Sequence, residues 1–131
     1  MLQNFGEIMI KDILLIGLGG AVGSILRYLA TIALNALHYA SWTATLGVNC
    51  IGSFLIGLFM AVCTDGDWKL MLTVGLCGGF TTYSTFSAQS LEMLHSGDYL
   101  TAGIYILSTI VLCLLFVWTG MYVGAKLGSH I

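Results

Sequence analysis

This chain contains no proline, so any break in one of its helices is left to Gly, Ser and Thr. Charge is nearly as scarce. Charged residues make up 8% of the 131 positions, whereas about a quarter is usual for a soluble domain. With 58% hydrophobic residues and a mean hydropathy of +0.97, the chain cannot cover itself with polar surface, which places it in a membrane. There is no basic cluster, and a net charge of −2 gives no reason to expect nucleic acid. The four cysteines, Cys50, Cys63, Cys77 and Cys113, lack CxxC or Cys/His spacing and read as reduced packing residues.

Four apolar stretches are each long enough to cross a hydrocarbon core of roughly 30 Å, which takes about 20 helical residues. They are residues 13–37, 44–63, 70–94 and 100–126, joined by short loops around "HYASW", "TDGDWK" and "HSGDY". The whole of 1–131 therefore reads as one all-α membrane domain of four transmembrane helices. Glycines recur four apart at Gly19/Gly23, Gly75/Gly79 and Gly120/Gly124, a spacing that lets helices approach closely in lipid. An even number of spans puts both termini and the 64–69 loop on one side. Lys11, Lys69 and Lys126 lie on that side and no lysine lies on the other, which favours cytoplasmic termini.

Carboxylates are missing from the centre of every span, and no Ser/His pair, HExxH or Asp cluster occurs in one. That argues against an enzyme and against a proton-coupled exporter of small drugs. Arg27 is the one charge deep in a span. It is either a functional residue or a group paired with backbone carbonyls. The other polar groups at that depth are neutral, and they cluster: Asn49 in span two; Thr81, Thr82, Tyr83, Ser84, Thr85 and Ser87 in span three; Tyr105, Ser108 and Thr109 in span four. A single hydroxyl can bond back to its own helix, but the amide of Asn49 brings donors and an acceptor that a helix cannot satisfy. Together these groups suit a narrow polar pathway better than an apolar contact. An assembly subunit whose polar residues face another chain is the alternative.

The third span contains "GLCGGFTTYSTFS" (75–87), in which Gly-Gly runs into Thr-Thr. This predicts a broken helix, tolerated at membrane depth only where it is buried in protein or lines a cavity. A break exposes carbonyls, and those from Gly78 to Thr81 suit a small cation. Tyr83 and Phe86 follow on one face of a second half-helix. Their electropositive ring edges, with hydroxyl and amide donors, suit an anion pathway that has no fixed positive charge.

"GGAVGSILRY" (19–28), "TLGVNCIGSFLIG" (45–57) and "GGFTTYSTFS" (78–87) resemble the three signatures of the Fluc (CrcB) fluoride channels, and the resemblance extends along the whole chain. It implies passive, fluoride-selective export from the cytoplasm across a bacterial inner membrane. It also implies an antiparallel, dual-topology homodimer with two pores and a structural Na⁺ at its centre. By position, Asn49 matches the pore asparagine, and Tyr83 and Phe86 match the two phenylalanines of the family's "TTFSTF" box. Gly78 and Thr81 match the backbone carbonyls of the Na⁺ site. Ser84, Thr82, Tyr105, Ser108 and Thr109 match polar pore positions, and Arg27 the first-span arginine. The chain departs from the pattern at Tyr83, which is a ring with an added hydroxyl, and at Gln89, where a vestibule glutamate is expected. Cys113 also departs from it, following Tyr105 and Thr109 along one stripe of span four. The one-sided lysines favour a single orientation, whereas the resemblance implies both.

Overall fold

The computed structural model describes residues 2–64 and 66–128; His130, expected near a chain end, lies outside them. Helix α1 is Leu2–Ala36 and α2 is Ser41–Val62. A short α3, Asp67–Leu70, runs directly into a π-helical stretch, Met71–Cys77, and then into α4, Gly78–Phe80. After two extended residues, α5 spans Tyr83–His95 and α6 spans Tyr99–Gly128. Among the described residues there is no strand. Three helices are long and apolar enough to cross a membrane: α2, α6 and the Gly6–Ala36 part of α1.

The distribution of side chains is inverted relative to a water-soluble protein. The buried positions of α2 are Ala44, Thr45, Val48, Asn49, Cys50, Gly52 and Gly57, mostly small or polar. Large apolar side chains such as Leu18, Ile25, Leu107 and Leu114 are exposed. Lipid solvates such a surface, so what drives packing is close approach of the helices and not removal of apolar area from water.

That approach is made by glycine, in two helix pairs. A side chain at Gly19 or Gly23 of α1 would collide with the backbone carbonyls of Met71 and Leu76, and one at Gly79 with the backbone of Gly20. In the second pair, Gly57 lies against the Val117 carbonyl and Gly120 against that of Phe54. Register fixes direction. Residues 19 and 23 meet residues 71–76 and 76–80, so α1 and the 67–80 run are parallel. Residues 54 and 57 meet 117–121, so α2 and α6 are parallel too.

Two details go beyond these expectations. Helix α1 starts at Leu2 and so extends beyond the apolar stretch that begins at residue 13; the single Gly6 is tolerated in a helix already nucleated by that stretch. Lys11 on this extension pairs with Asp67 at 2.8 Å, tying it to the start of α3. The glycines of Gly78–Gly79 remain helical, and the residues that leave the helix are Thr81 (φ −78°, ψ 159°) and Thr82 (φ −146°, ψ 106°). Gly79 is needed for its lack of volume against α1, while β-branched threonines suit extended backbone.

The glycine seams predict a contrast. Gly120→Leu drives a side chain into the Phe54 carbonyl and destabilises the fold by about 1–3 kcal/mol, as overpacking does. Gly103→Ala, where an added Cβ meets nothing within 4 Å, leaves stability unchanged. Thermal unfolding of the two purified variants in detergent measures the difference.

Candidate functional site

The extended pair Thr81–Thr82 is the centre of the site. Leaving the helix strands backbone groups, and each unsatisfied group buried away from water is costly. Asn49 of α2 meets that demand. Its Nδ2 donates to the Thr82 carbonyl at 3.1 Å, and its Oδ1 accepts the Thr82 N–H at 2.8 Å. The amide thus closes a two-bond ring on one residue of the break, with both residues buried. Thr82 then serves as the N-cap of α5, its hydroxyl accepting from the Thr85 N–H at 3.3 Å and donating to the Thr85 hydroxyl at 2.9 Å.

These bonds release two carbonyls. In an unbroken helix the Thr82 N–H would bond to the Gly78 carbonyl and the Thr85 N–H to that of Thr81. Here the first is taken by Asn49 and the second by the Thr82 hydroxyl. The Thr81 carbonyl instead receives Arg27 Nη1 at 3.4 Å. Of the two readings of Arg27, the structure displays the backbone-carbonyl contact, placed one helical turn beyond the Gly23 seam.

Consecutive extended residues point to opposite sides, and the break accordingly separates two recesses. Thr81 lines an open groove of about 540 Å³, together with Asn49, Gly78, Tyr83, Phe86 and Thr109. Thr82 lines a smaller recess of about 250 Å³ with Arg27, Thr45, Thr85 and Gln89, where hydroxyl, amide and guanidinium groups converge. No carboxylate lines either recess.

A column of four rings starts in the groove, where Tyr83 and Phe86 line it. Trp42 packs on Tyr105 with centroids 5.4 Å apart; Tyr105 meets Phe86 edge-on at 5.2 Å and 67°; Phe86 meets Tyr83 at 5.6 Å. Tyr105 is fully buried and its hydroxyl donates to Gln89 Oε1 at 2.9 Å, fixing both side chains. Phe86 is buried, while Tyr83, at the groove end of the column, is 79% exposed. Trp42 was not singled out by sequence reasoning. Its only signal there is a ring three residues before Thr45, and its partner lies 63 positions away.

The other expected site residues divide. Asn49, Gly78, Thr81, Tyr83, Phe86 and Thr109 share the groove, and Arg27, Thr82 and Gln89 share the recess. Tyr105 links them. Ser84 is exposed and reaches Thr82 at 3.5 Å, and Ser108 bonds back to Ile104 at 2.6 Å. Neither faces either space.

The family description "CrcB-like protein, Camphor Resistance (CrcB)" matches residues 14–121, a stretch that includes the glycine seams, the break and the ring column. The chain belongs to the CrcB-like family. Among curated relatives, the "Fluoride-specific ion channel FluC" of Phocaeicola vulgatus is 44% identical over 119 residues, covering 87% of this chain and 98% of the relative. The protein of that name from Leptospira interrogans is 43% identical over 118 residues, covering 86% and 93%. That from Bacteroides fragilis is 43% identical over 125 residues, covering 88% and 98%. The family places this multi-pass membrane protein among transporters and not enzymes.

The pairing of Asn49 with Thr82 makes a direct prediction. Asn49→Leu leaves both Thr82 backbone groups without the amide, at a cost of roughly 1–3 kcal/mol if they stay buried. Amide hydrogen exchange at Thr82 should accelerate strongly in this variant, while exchange in the middle of α6 stays as in the parent.

Proposed function

We propose that this protein is a fluoride-selective passive channel that lets fluoride leave the cytoplasm across a bacterial inner membrane, lowering its toxicity. In this reading the 67–95 segment is a fourth span, broken mid-membrane. Its support is the alternation of the bundle. With α1 parallel to the 67–80 run and α2 parallel to α6, the chain must return across the membrane between α2 and α6.

The observation that carries the ionic reading is the ring column with its neutral donors. An anion passing along it meets ring edges, hydroxyls and the remaining N–H of the Asn49 amide. These are groups that can replace water around a small anion. No carboxylate lines the spaces, which agrees with passive conduction and not with exchange against a proton held on an acidic group. The names of the relatives agree with this assignment.

The reading includes an antiparallel, dual-topology homodimer with two pores. The exposed ring of Tyr83 and the open groove are what a second copy would cover. It also includes a structural Na⁺. The groove residues fit such an ion: the Gly78 and Thr81 carbonyls have lost their helical donors, and oxygen ligands suit a hard cation. Two copies related by a two-fold axis supply four carbonyls. With Arg27 already at one lone pair of Thr81, a monovalent ion is better tolerated than a divalent one. When bound, the ion supplies positive charge and a cross-link. The chain's own part is to hold the carbonyls out of the helix.

Purified protein in liposomes tests the function. Fluoride efflux should be rapid and chloride efflux absent; comparable chloride efflux contradicts the reading. In the same assay Phe86→Ile, which keeps the apolar bulk but deletes the ring edge, should abolish flux while the dimer persists. Tyr83→Phe should retain or raise it. Normal flux in a folded Phe86→Ile dimer would mean that the rings only pack.

A further inference from the structure

We propose that Cys50 and Cys113 form a two-thiol site for a soft, two-coordinate divalent metal ion, Hg(II) in chemical type, and that its occupation closes the polar track beside it.

The site follows from the register of α2 and α6. Along this parallel pair, Asn49 and Thr109 line the same groove, and further along Phe54 meets Gly120. Between these contacts the same register brings Cys50 of α2 to Cys113 of α6. The contacts of Phe54 with Gly120 and of Gly57 with Val117 put both cysteines on the facing sides of the helix pair, and neither is in a disulfide. Cys50 is buried beside Asn49 in sequence, and Cys113 opens onto the groove with Thr109 and Ile110. Cys113 continues the Tyr105–Thr109 stripe, so a thiol occupies a place on that face where the two preceding residues present hydroxyls.

Ligand chemistry selects the ion. Thiolates are soft donors. Zinc wants four ligands in a structural site, and no group of three or more His, Cys, Asp or Glu side chains comes together among the described residues. Two sulfurs suffice for an ion content with linear coordination. Charge then separates the candidates. Two thiols and a divalent ion give a neutral bis-thiolate with release of two protons, R–SH + R′–SH + Hg²⁺ → R–S–Hg–S–R′ + 2H⁺. A monovalent ion leaves one net negative charge, which is costly to hold away from water. The neutral adduct bridges α2 to α6 next to Asn49 and Thr109 and puts a bulky metal in the groove.

That the adduct stops flux rests on the channel reading; its formation does not. The test therefore has two arms, both on the full-length protein. In the first, Hg(II) chloride is added to detergent-purified protein, and free thiols and intact mass are measured. One equivalent should be retained per chain with loss of two thiols, in Cys63→Ser and Cys77→Ser as in the parent. Cys50→Ser and Cys113→Ser should each need at least about a hundredfold more Hg(II), the advantage of a second ligand held in place being lost. In the second arm, efflux from liposomes should fall with the same concentration dependence in each variant and return on adding a dithiol chelator. Unchanged Hg(II) affinity in both Cys50→Ser and Cys113→Ser overturns the site. Stoichiometric binding with undiminished flux overturns the closure. If the parent passes no fluoride before Hg(II) is added, the channel reading has failed, and the thiol count still decides the site.

Discussion

The structure depends on one pair of hydrogen bonds. Backbone that leaves a helix within a membrane must find partners inside the protein, since lipid offers none. Asn49 supplies both partners for Thr82 at once, and the break can exist because of it. The consequences spread outward from that ring. With the Thr82 N–H engaged, the Gly78 carbonyl is released. With the Thr82 hydroxyl capping α5, the Thr81 carbonyl is released as well. The alternation of an extended dipeptide then turns Thr81 to the groove and Thr82 to the recess beside Arg27.

Such a local arrangement needs a stiff frame, and the glycine seams provide it. Gly19, Gly23 and Gly79 clamp the first half of the broken segment to α1, while Gly57 and Gly120 lock α2 to α6. Asn49 on one pair reaches Thr82 on the other, so the break is pinned where the two pairs meet. The ring column crosses the same boundary. Trp42 and Tyr105 belong to the α2–α6 pair, and Phe86 and Tyr83 belong to the half-helix after the break.

Much of this was legible in the sequence. Hydropathy marks α1, α2 and α6 because lipid demands long apolar runs, and the Gly-xxx-Gly spacings mark the surfaces that pack. The polar residues of 81–87 mark the irregular segment. What could not be read was which element answers which. Asn49 stands out as an amide in a span, yet its bonding to Thr82, 33 positions away, follows only once α2 lies against the break. Gly-Gly running into Thr-Thr marked the interruption; which of the four leave the helix follows from packing, since Gly79 lies against Gly20 and stays helical while Thr81 and Thr82 are extended. The resemblance put Ser84 and Ser108 among the polar pore positions. The phase of their helices turns them away from both spaces, and Ser108 satisfies its hydroxyl on its own turn.

The central claim is that the amide holding the break also makes the two carbonyls available to a cation. The most direct measurement is the thermal midpoint of the purified protein and of Asn49→Leu, each titrated with Na⁺ against a constant background of choline. The account predicts that Na⁺ raises the midpoint of the parent and that this response is lost in Asn49→Leu. A full Na⁺ response in Asn49→Leu would contradict it.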